Sequence, residues 1–124
     1  PGIELSADSI GMLSTALENL NQQNIRPVIT SGFRLPAWRA AIRDANSPYV
    51  ITPARVSWHE VGAAVDSGPN SNAGNFPTIV SAMIEAGFVS GGNFRRRDVP
   101  HFQPQQPGTS PTEAQVQSCT PGGR

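Results

Sequence analysis

The only two histidines of the chain, His59 and His101, both have aspartates close by: Asp66 follows His59 by seven positions, and Asp98 precedes His101 by three. Two imidazoles and one carboxylate are a donor set that suits zinc, which in catalytic sites takes three protein ligands and keeps a fourth position for water. A closed structural zinc site draws on several cysteines, and this chain has one, Cys119. His59, Asp66 and His101 therefore read as candidate ligands of a catalytic metal. Non-haem iron also uses two histidines and a carboxylate, so spacing alone leaves the metal open. The plain alternative is two hydrogen-bonded structural histidines beside ordinary acids.

A metal-activated water needs a base. Asp98 can reach such a water without binding the metal, provided that its segment is a bent loop or a strand end; the alternative role is a turn residue. Glu60 is the rival, but in an extended segment it points to the side opposite His59. Arg34 closes the stretch "TSGFR", where a guanidinium could hold a substrate carbonyl or a developing oxyanion, or simply sit at the surface. Ser57, two residues before His59, could donate a hydrogen bond to a ligand or to substrate, or serve as a turn serine.

These residues need elements to aim them. Ser6 to Asn24 predicts a helix, with Ser6 or Asp8 as cap and Ile10, Leu13, Leu17 and Leu20 on one stripe. The β-branched run Val28-Ile29-Thr30 predicts a strand. Leu35 to Ala45 predicts a second helix with Pro36 in its first turn, and Tyr49 to Ile51 a short strand. Val61 to Ser67 reads as a buried strand ending at Asp66, and Gly68 to Asn75 as a loop. Phe76 to Ala86 predicts a third helix, with Ile79, Met83 and Val80 inward and Gly87 ending it. Phe88-Val89 and His101-Phe102 read as short strand pieces. The whole is an α+β domain: a small, mainly antiparallel sheet flanked by about three helices. Residues 1–103 form the globular domain. Residues 104–124, rich in Pro, Gln, Gly, Ser and Thr, read as an extended or disordered tail.

Composition narrows the function classes. With 124 residues, one domain is expected. Nine basic and nine acidic residues balance, so no nucleic-acid partner is expected. The local run Arg95-Arg96-Arg97 could face an anionic partner or be a solvated loop. A single cysteine allows no internal disulfide. No run of apolar residues is long enough for a membrane span. The chain starts at Pro1 rather than Met, which suggests a processed or excised piece whose targeting segment lies elsewhere.

Three stretches in order, "SGFR", "SWHEVGAAVD" and "DVPHF", resemble the zinc peptidases of bacterial cell walls. That group holds the D-Ala-D-Ala carboxypeptidases and dipeptidases and the L-alanyl-D-glutamate endopeptidases of phage endolysins, and it shares a fold with the hedgehog signalling domain. The resemblance covers about Val28 to Gln103. It implies Zn2+ on His59, Asp66 and His101, Asp98 as general base, Arg34 on the scissile carbonyl, and packing roles for Gly62 and Ala64. An Asp at position 98, where the dipeptidases usually have Glu, tilts toward the endopeptidases. Ser90 and Phe94 depart from the endolysin pattern, where Trp is common, so cleavage specificity stays open. The expected function is hydrolysis of a peptide bond in peptidoglycan stem peptides, in the periplasm or outside the cell. The expected protein is a monomer or a domain of a larger secreted protein or toxin. The alternatives are a D-Ala-D-Ala carboxypeptidase and a non-catalytic, zinc-containing wall-binding module.

Overall fold

The computed structural model describes residues 5–33, 57–95 and 97–119. Arg34, Arg96, the expected helix over Leu35 to Ala45 and the expected strand at Tyr49 to Ile51 lie outside the described residues.

Helix α1 spans Ala7–Gln22, with Ser6 as its N-cap residue. Its inward face differs from the predicted stripe. Leu20 is buried and Leu13 packs against the core, but Ile10 is exposed, and Ser9 and Ala16 are buried instead. The helix is rotated so that Ser9, Leu13, Ala16 and Leu20 form the seam, the i, i+4, i+7, i+11 pattern of one helix face. Ser9 tolerates burial because its hydroxyl donates to the carbonyl of Ala63 at 2.9 Å. Ser6 N–H donates to Gly62 O at 2.8 Å, so the helix start is tied to the segment that carries His59.

Among the described residues the sheet has three short antiparallel strands in the order β1-β3-β2: β1 is Val65–Asp66, β2 is Val89–Ser90 and β3 is His101–Gln103. The predicted strand at Val61 to Ser67 is shorter than expected. Trp58–Val61 form a 3-10 turn, and Gly62 ends it in the left-handed region at φ 72°. A side chain at Gly62 would be strained there, and a Cβ would stand 2.8 Å from the Ser6 nitrogen. The predicted strand at Val28 to Thr30 is not a ladder strand. The segment pairs with β1 through one bridge, Ser31 to Asp66, with Thr30 N–H donating to Asp66 O and Asp66 N–H to Ser31 O, both at 2.9 Å.

Helix α2 spans Phe76–Glu85, with Pro77 in its first turn. Gly87, at φ 109°, follows it, as the glycine predicted. Ile79 and Met83 are buried as predicted, and Val80 packs against the core. Ala16 and Leu20 of α1, Val65, Phe102, Phe88 and the Ile79-Ala82-Met83 face of α2 make one core beneath the sheet.

The extended tail predicted after Gln103 is corrected up to Cys119. Helix α3 spans Glu113–Cys119, and Pro111 and Val116 are buried. The segment packs on the 3-10 turn at Trp58–Val61. Trp58 Nε1–H donates to the carbonyl of Thr109 at 3.0 Å. Composition misled because two apolar contacts and one tryptophan anchor suffice to hold a polar segment that has no helical stripe of its own. No described helix is long and apolar enough to cross a membrane.

Candidate metal centre

His101 opens the central strand and Asp66 closes an edge strand; the register pairs them directly. Cross-strand partners project their side chains to the same face, which brings His101 Nδ1 to 3.5 Å from Asp66 Oδ1. His59 comes from the 3-10 turn. Ser57 Oγ accepts the His59 N–H at 3.2 Å and caps that turn, so the role the structure shows for Ser57 is to position His59. His59 Nε2 then lies 3.0 Å from Asp66 Oδ1 and 3.2 Å from His101 Nδ1.

These three atoms form the one group among the described residues whose side chains could together hold a metal ion. Their spacing fits zinc. Two ligands about 2.0–2.1 Å from a tetrahedral ion stand about 3.3–3.4 Å apart, and the three separations straddle that value. The proton inventory of the rings supports the same reading. His59 Nδ1 faces the carbonyl of Gly32 at 2.8 Å, and a carbonyl can only accept, so that nitrogen carries the proton. His101 Nε2 faces Gln103 Oε1 at 2.7 Å. The amide NH2 of Gln103 is directed at the carbonyls of Gln105 and Gln106, at 3.1 and 3.3 Å, so its oxygen is the atom turned to His101 and His101 Nε2 donates. In its neutral form each ring thus places its hydrogen outward. The inward nitrogens and the carboxylate turn lone pairs on one point, an arrangement that calls for a cation.

Without a metal, the same cluster favours a proton on His101. Burial disfavours the charged form of His101, but hydrogen bonds to Asp66 and Gln103 and the charges of Asp66 and Asp98 outweigh it and raise its pKa above the ordinary 6.5.

Asp98 is held differently. Its Oδ2 lies 3.9 Å from His101 Nδ1, and its side chain is 40% exposed against 16% for Asp66. It therefore stands beside the three-atom cluster and within reach of solvent. Its backbone is fixed on both sides: Asp98 N–H donates to Gly91 O at 2.8 Å, and His101 N–H donates to Asp98 O at 3.0 Å. A Cβ on Gly91 would collide with the Asp98 carbonyl oxygen and stand 3.0 Å from His101 Cβ. Ser90 is buried and caps the turn at Gly91–Asn93 by accepting Gly92 N–H. Phe94 stacks obliquely on His101, with ring centroids 5.6 Å apart. Glu60 is only 1% exposed, and it lies on the 3-10 turn rather than in the extended segment assumed from sequence. Arg95 and Arg97 are exposed, and Arg97 Nε–H donates to Gly92 O at 3.2 Å.

Two supports were not read from sequence. Gln103 is one. Asn72 is the other: it is buried, accepts Val28 N–H at 2.7 Å and donates to Ser67 Oγ and Gly68 O at 3.0 and 2.8 Å. It stitches the loop after Asp66 to the Val28 segment. Polar residues in a breaker-rich loop carry no pattern that marks one of them as buried. A cavity of about 300 Å³ beside α1 and α2, lined by Asn19, Gln23, Thr78, Ser81 and Glu85 among others, shares no residue with the cluster.

No family model matches the chain, and no curated protein matches it. Among solved structures, the crystal structure of the Serratia marcescens L-Ala D-Glu endopeptidase ChiX is similar, with a TM-score of 0.57. The two are 22% identical, over 81% of this chain and 80% of that one. The likeness establishes the fold: an α+β domain with helices around a small antiparallel sheet, as expected from the sequence.

Proposed function

We propose that this protein is a zinc-dependent peptidase that hydrolyses a peptide bond in peptidoglycan stem peptides, of the L-alanyl-D-glutamate endopeptidase type, acting in the periplasm or outside the cell. The observation that carries the reading is the convergence of His59 Nε2, Asp66 Oδ1 and His101 Nδ1 at tetrahedral ligand spacing, with both ring protons committed outward. The shared fold of an enzyme described as an L-Ala D-Glu endopeptidase supports it.

His59, Asp66 and His101 would hold the ion, which when bound would act as a Lewis acid toward the scissile carbonyl and make water acidic near neutral pH. Asp98 serves as general base. Its carboxylate accepts the proton of the attacking water and passes it to the leaving amine. Partial exposure suits that task, since the group must meet both water and substrate. Arg34, assigned by resemblance, holds the carbonyl oxygen as negative charge develops on it. Ser57 caps the turn that carries His59 and, from its place two residues before that ligand, is assigned a hydrogen bond to substrate.

The test has two parts. Mass spectrometry of stem peptides incubated with the protein should show cleavage between L-Ala and D-Glu; release of terminal D-Ala would favour the carboxypeptidase instead. Asp98→Asn should keep zinc and lose about 10²–10⁴-fold in turnover. Wild-type protein that binds zinc and wall fragments yet cleaves none of them would favour the non-catalytic module.

A further inference from the structure

Strand β3 places His101 and Gln103 two residues apart, so their side chains emerge on the same face. Both are buried, at 6% and 4% exposure. The 2.7 Å contact from Gln103 Oε1 to His101 Nε2 is shorter than the 2.8 Å contact from His59 Nδ1 to the Gly32 carbonyl. The other end of the same amide is clamped by two backbone carbonyls of the loop that follows, those of Gln105 and Gln106. An amide held at its NH2 end cannot turn over without losing two bonds and presenting its NH2 to the ring.

We infer that Gln103 is a positioning residue for the metal centre: it dictates which nitrogen of His101 bears the proton, and so presents Nδ1 to the metal. The inference rests on the proposed metal site and goes beyond it by assigning the atom that selects the coordinating nitrogen. Neutral imidazole has two tautomers, and only the one protonated at Nε2 can bind a cation through Nδ1. Outer partners of ligating histidines typically contribute 10–100-fold in metal affinity. The two ends of the amide also separate two roles. The oxygen acts on His101, while the NH2 group orders residues 105–106 and through them the C-terminal segment.

The test uses the whole chain. Zinc affinity is measured by competition with a chromophoric chelator, and thermal midpoints are taken on metal-free samples. Gln103→Leu removes both ends and should lower zinc affinity about 10–100-fold along with the midpoint. Gln103→Glu keeps an acceptor for His101 but sets its second oxygen against two carbonyls. It should retain zinc affinity within about threefold, well inside the range such a partner contributes, while losing thermal stability. If Leu and Glu lose affinity alike, in step with stability, Gln103 is merely structural and the inference fails. Should Gln103→Leu not fold, 15N NMR of zinc-loaded wild type decides: Nδ1 coordination of His101 with a proton on Nε2 is expected, and coordination through Nε2 overturns the inference. Zinc-bound wild type with an equally tight Gln103→Leu would overturn this inference alone. Wild type that binds no zinc would overturn the metal reading and this inference with it.

Discussion

Asp66 stands directly opposite His101 in the antiparallel β1–β3 pair, and the pairing brings the carboxylate and the imidazole within 3.5 Å. A slip of one residue in this register would turn one of the two to the other face of the sheet. The site thus depends on strands of only two and three residues, whose alignment is maintained by what surrounds them. The predictions below test those surroundings.

Metal binding should track the three convergent ligands. Wild-type protein is expected to carry close to one equivalent of zinc by elemental analysis. His59→Ala and His101→Ala should lose both metal and activity, because two remaining donors hold a catalytic ion poorly. Chelation should lower the thermal midpoint, since a ligand at about 1,000 times its Kd adds about 4 kcal/mol to the folded state. A midpoint indifferent to chelator and to added zinc would count against the site.

Zinc affinity should fall on acidification. The pKa of His101 in the metal-free fold is raised above 6.5, with burial opposing the shift and Asp66, Gln103 and Asp98 together outweighing it. Below that raised value zinc must displace a proton, so affinity should drop by up to about tenfold per pH unit for this one group. For the metal-free protein the sign is reversed. A histidine with a raised folded pKa contributes stability that is complete below 6.5 and fades as pH rises through the folded value. Chelator competition and thermal melts across this range check both trends, and His101→Gln should flatten the melts of the metal-free protein.

Gly91→Ala should damage the site more than the fold. The added methyl would collide with the Asp98 carbonyl and crowd His101 Cβ, so the turn carrying the proposed base must shift. Turnover is expected to drop by 10-fold or more, on the order of what a small misplacement of catalytic groups costs. Kinetic assay beside zinc titration would show it. An active Gly91→Ala enzyme would mean that the turn is more yielding than its backbone bonds suggest.

Asn72→Ala should cost about 2–3 kcal/mol of stability, because it strips partners from the buried Ser67 hydroxyl and from the part-buried Val28 N–H and Gly68 carbonyl at once. Urea denaturation measures the loss. A change below about 0.5 kcal/mol, the size usual for an inconsequential surface substitution, would show that the loop finds other partners.

Truncation after Gln103 should lower the thermal midpoint by about 10 °C, equivalent to roughly 2–3 kcal/mol for a chain of this size. It removes buried Val116 and Pro111, the Thr109 acceptors of Trp58, and both carbonyls that hold the Gln103 amide. Scanning calorimetry on the truncated protein is the measure. An unchanged midpoint would restore the view of this segment as an appendage.

The sequence by itself determined the donor types and their order. Only two histidines exist, so any imidazole site had to use His59 and His101, and the small-residue run ending at Asp66 marked that acid as the end of a buried strand. Helix α2 was legible because Gly87 follows its end and Ile79 and Met83 keep helical spacing. Tertiary structure decided the rest. The rotation of α1 that exposes Ile10 follows from packing against α2 and the sheet, which local periodicity does not contain. His59 lies on a 3-10 turn because Ser57 caps it and Gly62 closes it in a left-handed conformation, both short-range choices that compete closely with an extended strand. The packing of residues 104–119 on Trp58–Val61 depends on partners some 50 residues away. Gln103 was invisible for the same reason: an amide becomes a positioning group only when a central strand, a histidine two residues before it and two loop carbonyls after it fix which end faces which. Hydrogen-bond direction is a property of the assembled neighbours, and it is there that the site acquires its geometry.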